Sequence, residues 1–210
     1  MIDLYMFMTA NSWRASIALE ELEFPFAVKW INLRERENMK PEFLAKNPLG
    51  RVPMIEDSDG PDGTPVSVYT SPAILLYAAE KAGGLLPPGG NARAVALEWL
   101  MFAVTDLGMA FDFRFRYETL LPRRGDTPDP YAIADTGALV ERYMTRAEQH
   151  LGESEYFAGA YSIADIAVIP FVAGPRAEPA FLDPYPNVRR WADQVAARPA
   201  VQRGFRTIEL

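Results

Sequence analysis

The sequence predicts an α/β N-terminal domain of βαβ-ββα order followed by an all-α C-terminal helical bundle. Short strand-like segments punctuated by turn residues fill the first 84 positions. Residues 85–90, Leu-Leu-Pro-Pro-Gly-Gly, then read as a linker. From Ala92 onward the apolar spacing is helical throughout. The expected domains are therefore residues 1–84 and 91–210.

Residues 2–7 alternate and favour strand, and Met8 to Ser12 form a loop into a helix whose apolar spacing comes from Ile17, Leu19 and Leu22. Phe24-Pro25 stops that helix, and a second strand follows over Ala27 to Ile31. Asn38 to Asn47 suggests a short helix, and Gly50 to Glu56 a strand whose start is fixed by Pro53. The Asp57 to Pro65 stretch is a hairpin turn into Val66 to Tyr69. Ser71 is the expected N-cap of the next helix, with Pro72 at its first position. In the second half, helices are expected over Ala92 to Leu121, bent or interrupted near Gly108, and over Tyr131 to Leu151. Ser162-Ile163-Ala164-Asp165 is a capping box opening an apolar helix to Val172, which belongs in the middle of its domain. Pro186 to Arg198 and Ala200 to Phe205 complete the bundle.

Composition narrows the chemistry. A net charge of −7 opposes binding to nucleic acid, which needs clustered Lys and Arg. The first residues lack the features of a secretory leader, and apolar stretches such as Ile163 to Gly174 are too short to cross a bilayer, so a soluble cytoplasmic protein is expected. With no cysteine, the chain supplies no disulfide, no thiolate metal site and no catalytic thiol of its own. Any thiol chemistry must use a thiol brought by a ligand. The single histidine, His150, builds no metal cluster alone and fits a surface or helix-terminal position, so no metal is expected.

Three local features have both a chemical and a structural meaning. A cis Val52–Pro53 bond would turn the Val52 N–H and C=O toward a groove where an extended peptide can pair; alternatively Pro53 only shapes an edge strand. Thr70-Ser71 at a helix N-terminus favours a carboxylate, or Ser71 simply caps the helix. Thr9, Asn11 and Ser12 offer two hydroxyls and an amide at another helix start, either to stabilise a thiolate or to cap. In a βαβ-ββα sheet all three lie along one edge, within reach of one tripeptide.

The chain resembles the glutathione transferase superfamily over essentially its whole length. The carriers are Leu4-Tyr5 with Thr9-Ala10-Asn11-Ser12-Trp13-Arg14, Lys40-Pro41-Glu42-Phe43-Leu44, Asn47-Pro48-Leu49-Gly50-Arg51-Val52-Pro53, and Ser71-Pro72-Ala73-Ile74-Leu75-Leu76-Tyr77. In the second half they are Tyr156-Phe157-Ala158-Gly159, Ser162-Ile163-Ala164-Asp165-Ile166-Ala167, Tyr185-Pro186-Asn187-Val188 with Trp191, and Arg198-Pro199-Ala200-Val201. Thr9 and Asn11 make it most similar to the bacterial Nu-type members, glutathione-dependent disulfide reductases. Ser12-Trp13-Arg14 also resembles the zeta-type loop, but Asn11 stands where that class has cysteine.

The resemblance implies a thioredoxin-like N-terminal domain holding glutathione as a substrate, and a helical domain supplying the second-substrate pocket. Val52 beside Pro53 would pair with the cysteinyl backbone, and Ser71 would hold the γ-glutamyl carboxylate. Asn38, with Lys40 or Arg51 as charged helper, would lie near the glycyl end, and Thr9 and Asn11, with or without Ser12, would face the sulfur. Met101, Thr105, Met109 and Phe113 recur at helical spacing and either line the second pocket or serve as core. Relatives place an acidic residue where Thr70 stands; losing such a charge-assisted bond costs ~1.5–3 kcal/mol unless another carboxylate, such as Asp106, substitutes. The 130–136 segment also lacks the arginine of the disulfide-binding relatives.

Three functions follow. The leading one is a homodimeric glutathione transferase or glutathione-dependent disulfide-bond oxidoreductase, acting on a small hydrophobic or disulfide substrate. Its rival is a non-catalytic binding protein of the same fold with weakened glutathione affinity. The third is a scaffold working through its dimer surface. Arg114, Arg116, Arg123 and Arg124 are either a site for an anionic group or a solvated basic face.

Overall fold

The computed structural model describes residues 1–175 and 177–207. It divides into two compact units, residues 1–90 together with the described residues from 195 on, and residues 91–194. In the first unit, β1 (Ile2–Met6), α1 (Ala10–Glu21) and β2 (Phe26–Trp30) form a βαβ unit. A 3₁₀ turn (Glu37–Met39) and α2 (Pro41–Leu44) lead to β3 (Met54–Asp57), β4 (Val66–Tyr69) and α3 (Ser71–Ala82). Among the described residues the sheet has four strands in the order β2-β1-β3-β4. β1 runs parallel to β2 and antiparallel to β3, and β3 is antiparallel to β4. This is the expected α/β thioredoxin-like arrangement.

Burial explains the layer order. Leu4, Met6, Met54 and Ile55 from the strands, and Trp13, Ile17, Ile74 and Leu75 from α1 and α3, are all sealed from solvent. Tyr77 and Lys81 of α3 donate to the buried Asp57 carboxylate at 2.7 and 2.6 Å, tying the helix to the end of β3. Burial pushes that carboxyl up, but the Lys81 ammonium and Tyr77 hydroxyl outweigh it and hold it below its ordinary range.

The last helix, α10 (Pro199–Arg206), belongs to this first unit, whereas the sequence reading carried the helical domain through 91–210. The reason is a close helix–helix approach. A Cβ on Gly204 would stand 2.6 Å from Ile17, so only glycine lets the backbones meet. Ser16 Oγ then donates to the Gly204 carbonyl at 2.9 Å, and Arg198 and Arg203 pair with Glu21 and Glu20. Residues 208–210 of the expected domain lie outside the described residues.

The second unit begins with α4 (Gly90–Met101), which continues through a π-helical segment (Phe102–Leu107), α5 (Gly108–Phe115), a second π-helical segment (Arg116–Leu120) and α6 (Leu121–Arg123). Gly108 keeps ordinary helical angles, so the expected interruption is a change of hydrogen-bond register on either side of α5 rather than a break. This helix corrects the membrane reading made from 163–174: 90–123 is long and apolar enough to span a bilayer by length and composition. Here one side of it packs against α7 (Pro130–Glu153) and α8 (Ile163–Val172), and the other side is exposed.

α8 is buried almost all round, as its composition predicts. Its capping box is formed as expected, and the Asp165 carboxylate accepts from Ser162 N at 2.9 Å, Phe157 N at 3.1 Å and Trp191 Nε1 at 2.8 Å. α9 (Pro186–Ala196), which carries Trp191, is thereby fastened to the start of α8. His150 sits in the last turn of α7, its Nε2 2.9 Å from the Phe157 carbonyl and its ring 4.1 Å from that of Trp99. It is helix-terminal, as expected, but packed rather than free on the surface.

Desolvation pushes the Asp165 carboxyl from 3.8 up to about 6, outweighing its four donors. Its contribution to stability is fully present below pH 3.8 and is lost as pH rises through about 6, by about 3 kcal/mol at most. Urea unfolding at pH 4, 5, 6 and 7 should show Asp165→Asn destabilised by ~2–4 kcal/mol at every pH through its misplaced donor. The variant should also lose the part of the pH slope between 4 and 6 that the wild type shows.

Candidate functional site

The strand register brings the three sequence-predicted features together. Met54 pairs with Tyr69 and with Tyr5, so two residues back along β3 Val52 comes opposite Ser71 on one side and the segment after β1 on the other. The Val52–Pro53 peptide is cis, as the groove reading requires. Among the described residues neither the N–H nor the C=O of Val52 has a hydrogen-bond partner. An extended backbone can pair there.

The loop leading to Val52 is braced from within. Buried Asn47 donates to the Arg51 carbonyl at 2.7 Å and accepts from Leu49 N at 3.1 Å. Asn38 Nδ2 donates to the Gly50 carbonyl at 2.6 Å. Gly50 itself has a φ of +58°, and a Cβ there would meet Met39 Sδ at 2.9 Å. Asn38 thus shapes the loop with one of its two amide N–H donors. Lys40 is already paired with Glu37 at 3.4 Å, and with Tyr5, Phe43 and Lys46 it lines a shallow cavity of about 220 Å³ that no other expected site residue reaches. Arg51, exposed and without a partner among the described residues, is the cation beside Val52 that remains available.

The first loop is shorter than the sequence suggested. α1 starts at Ala10, so Asn11 and Ser12 occupy its first turn and Thr9 is the N-cap. Thr9 Oγ1 accepts from Ser12 N at 3.1 Å and donates to Ser12 Oγ at 2.9 Å. Ser12 is fully buried, and its hydroxyl also accepts from Phe7 N at 3.4 Å. Burial corrects the expectation that Ser12 faces a sulfur: its oxygen accepts from Thr9 and Phe7 inside the protein, sealed from solvent. The N–H groups of Ala10 and Asn11, with the Asn11 amide, are the partly exposed donors at this helix start that have no partner among the described residues.

The start of α3 also departs from expectation. Ser71 is the first helical residue and Pro72 the second, and Thr70 occupies the N-cap position without a side-chain cap bond. The Ser71 hydroxyl instead donates to Asn11 Oδ1 at 3.2 Å and accepts from Arg14 NH1 at 3.3 Å. Thr70 has φ 74° and ψ 132°, a conformation that a β-branched residue adopts only under strain, at a cost of ~1–3 kcal/mol. The N–H groups of Ser71 and Ala73 have no partner among the described residues, and with the helix dipole they favour an anion.

Arg14 is the residue that sequence reasoning did not assign to the site. It is 1% exposed, and its NH1 donates to Asn11 Oδ1 at 2.7 Å. The available signal was its position one helical turn after Asn11, which puts both side chains on one face.

In the second unit, Met101, Met109 and Phe113 are each about 40% exposed, and Thr105 is exposed beside them. They are therefore a surface stripe and not core. The Thr105 hydroxyl lies 2.9 Å from the Asp106 carboxylate, and Phe113 stacks on Tyr117. Among the described residues there is no group of metal-ligating side chains.

Comparison with known proteins adds the following. Residues 10–81 match the family described as "Glutathione S-transferase, N-terminal domain", and residues 136–203 match "Glutathione S-transferase, C-terminal domain". The chain is 33% identical to the disulfide-bond oxidoreductase YfcG of Escherichia coli (strain K12), covering 100% of this chain and 97% of that protein. A glutathione transferase family member from Pseudomonas fluorescens, crystallised with two glutathione bound, superposes with a TM-score of 0.90 at 32% identity, covering 97% of this chain and 92% of that one. A glutathione transferase from Pseudomonas putida with one glutathione disulfide per subunit has a TM-score of 0.87 at 28% identity, covering 97% and 90%.

Thr9→Val removes both cap bonds while keeping the side-chain shape. It should cost about 1 kcal/mol in chemical unfolding, whereas Thr9→Ser should stay close to the wild type.

Proposed function

Because the chain belongs to the glutathione S-transferase family, we propose that it binds glutathione in its first unit and uses the bound thiolate on a disulfide or a hydrophobic electrophile. The observation that carries this reading is the convergence of unpaired Val52 backbone groups with the free N-termini of α1 and α3. These are three complementary donor and acceptor sets for one tripeptide.

In this reading the cysteinyl backbone of glutathione pairs with Val52 as an added strand. The γ-glutamyl carboxylate takes the Ser71 and Ala73 N–H groups and the positive end of α3. Arg51 meets the glycyl carboxylate. The sulfur lies at the start of α1, where the Ala10 and Asn11 N–H groups and the Asn11 amide lower the thiol pKa from ~8.5 and release its proton to solvent. The thiolate then attacks one sulfur of a disulfide. The S–S bond breaks, a mixed disulfide forms, and the departing thiolate takes up a proton. In the second unit the Met101, Thr105, Met109 and Phe113 stripe is apolar surface open to a hydrophobic ligand. A cytoplasmic homodimer is the assembly this reading carries, with thiols kept reduced around it.

A binding protein without catalysis is favoured by one feature, Thr70. It is exposed, strained and uncharged where a carboxylate would hold the γ-glutamyl ammonium.

Calorimetric titration with reduced and oxidised glutathione separates the two. The wild type should bind at least one form with a Kd below ~1 mM, and Thr70→Glu should tighten reduced glutathione roughly tenfold. If the wild type binds neither form and Thr70→Glu restores binding, the non-catalytic reading stands instead.

A further inference from the structure

We propose that Arg14 is a positioning residue that fixes which end of the Asn11 amide is available to the glutathione sulfur. The proposal rests on the reading that the sulfur sits at the start of α1. A primary amide presents a carbonyl acceptor at one end and two N–H donors at the other, and only the donor end stabilises a thiolate. A bare Asn11 turns either end outward at similar cost. A guanidinium removes that freedom because it donates and never accepts.

The bonding is one-sided in this way. Arg14 NH1 donates to Asn11 Oδ1 at 2.7 Å, and the Ser71 hydroxyl donates to the same oxygen at 3.2 Å. Every partner of the Asn11 side chain therefore ends on its carbonyl, and Nδ2 has no partner among the described residues. Flipping the amide would press its N–H groups against a buried guanidinium and point its oxygen at the thiolate, so two unfavourable contacts replace two favourable ones. Arg14 is 1% exposed, and water cannot substitute for the lost bond.

The same side chain also frees Ser71. Arg14 NH1 donates to Ser71 Oγ at 3.3 Å and satisfies Asn11 Oδ1 by itself, so the Ser71 proton can turn to a γ-glutamyl carboxylate without leaving an acceptor unpaired. One buried cation thus prepares the donors at both ends of the γ-glutamyl-cysteinyl part of the ligand.

A purely structural Arg14 would tie α1 to α3 and leave the sulfur unaffected. The test is the pKa of enzyme-bound glutathione, followed by the ultraviolet absorbance of its thiolate, in the wild type and in Asn11→Ala, Arg14→Gln and Arg14→Lys. Glutamine keeps hydrogen bonding but offers an acceptor as well, so it permits the flipped amide, whereas lysine remains donor-only. Arg14→Gln should raise the bound thiol pKa by about one, close to Asn11→Ala, and Arg14→Lys should stay near the wild type. A wild-type pKa in Arg14→Gln, with Asn11→Ala raised, overturns the proposal alone. No change in Asn11→Ala overturns the underlying placement of the sulfur. Should Arg14→Gln fail to fold, the side-chain amide resonances of Asn11 in the ¹⁵N-labelled wild type, assigned by their loss in Asn11→Asp, give the answer. They should shift on adding reduced glutathione. If they stay fixed while the Val52 backbone amide shifts, glutathione binds but the Asn11 amide does not face its sulfur, and the proposal fails.

Discussion

A guanidinium sealed from water must be surrounded by acceptors, and the contacts that Arg14 makes for that reason join two parts of the chain 57 residues apart. Its bonds to Asn11 and Ser71 hold the first turns of α1 and α3 side by side. Both helix starts then direct their unsatisfied N–H groups to the same end of the sheet. The positive ends of two helix dipoles add there, beside a buried guanidinium. The site is electrostatically prepared for an anionic ligand before any ligand arrives.

The sheet sets where the third element falls. Because β3 pairs with β1 on one side and β4 on the other, the residue two before Met54 is carried to the place where β4 ends and α3 begins. Asn47, Asn38 and Gly50 then brace the loop from behind, and the unpaired Val52 backbone faces outward. Thr70 completes the corner at an energetic cost, since its φ of 74° suits glycine far better than threonine. Strain concentrated beside free backbone donors is typical of positions kept for binding. Thr70 brings no charge of its own to this corner.

The helical unit is organised by a different buried charge. Asp165 collects donors from its own helix start, from the preceding loop and from Trp191, so one carboxylate orients α8 and α9 together. Around it the unit buries almost the whole surface of α8. That leaves the long helix to present Met101, Met109 and Phe113 to solvent as a run of large, partly exposed apolar side chains.

Much of this was written in local sequence. Strand alternation, the Ser162 capping box, the Pro and Gly punctuation and the apolar run of α8 are short-range signals, and each formed where it was read, within a few residues. Thr9, Asn11, Val52 and Ser71 were equally legible as polar or proline-flanked positions at element ends. What the sequence left undecided were properties that depend on residues far away in the chain. Ser12 is polar and near the expected sulfur site, yet the fold seals it from solvent with its oxygen accepting from Phe7 N and Thr9. Asn38 and Lys40 have the right chemistry, and what sequence could not show is that each also has a partner in the chain, Gly50 for one and Glu37 for the other. The last helix follows the helical domain in sequence, but the absence of a side chain at Gly204 lets it pack on α1 instead. Arg14 reads as one more charge on an amphipathic helix until tertiary packing buries it. Local sequence determines which groups a segment carries and which element it forms; only the folded chain decides which groups remain unpaired, because each partner comes from elsewhere.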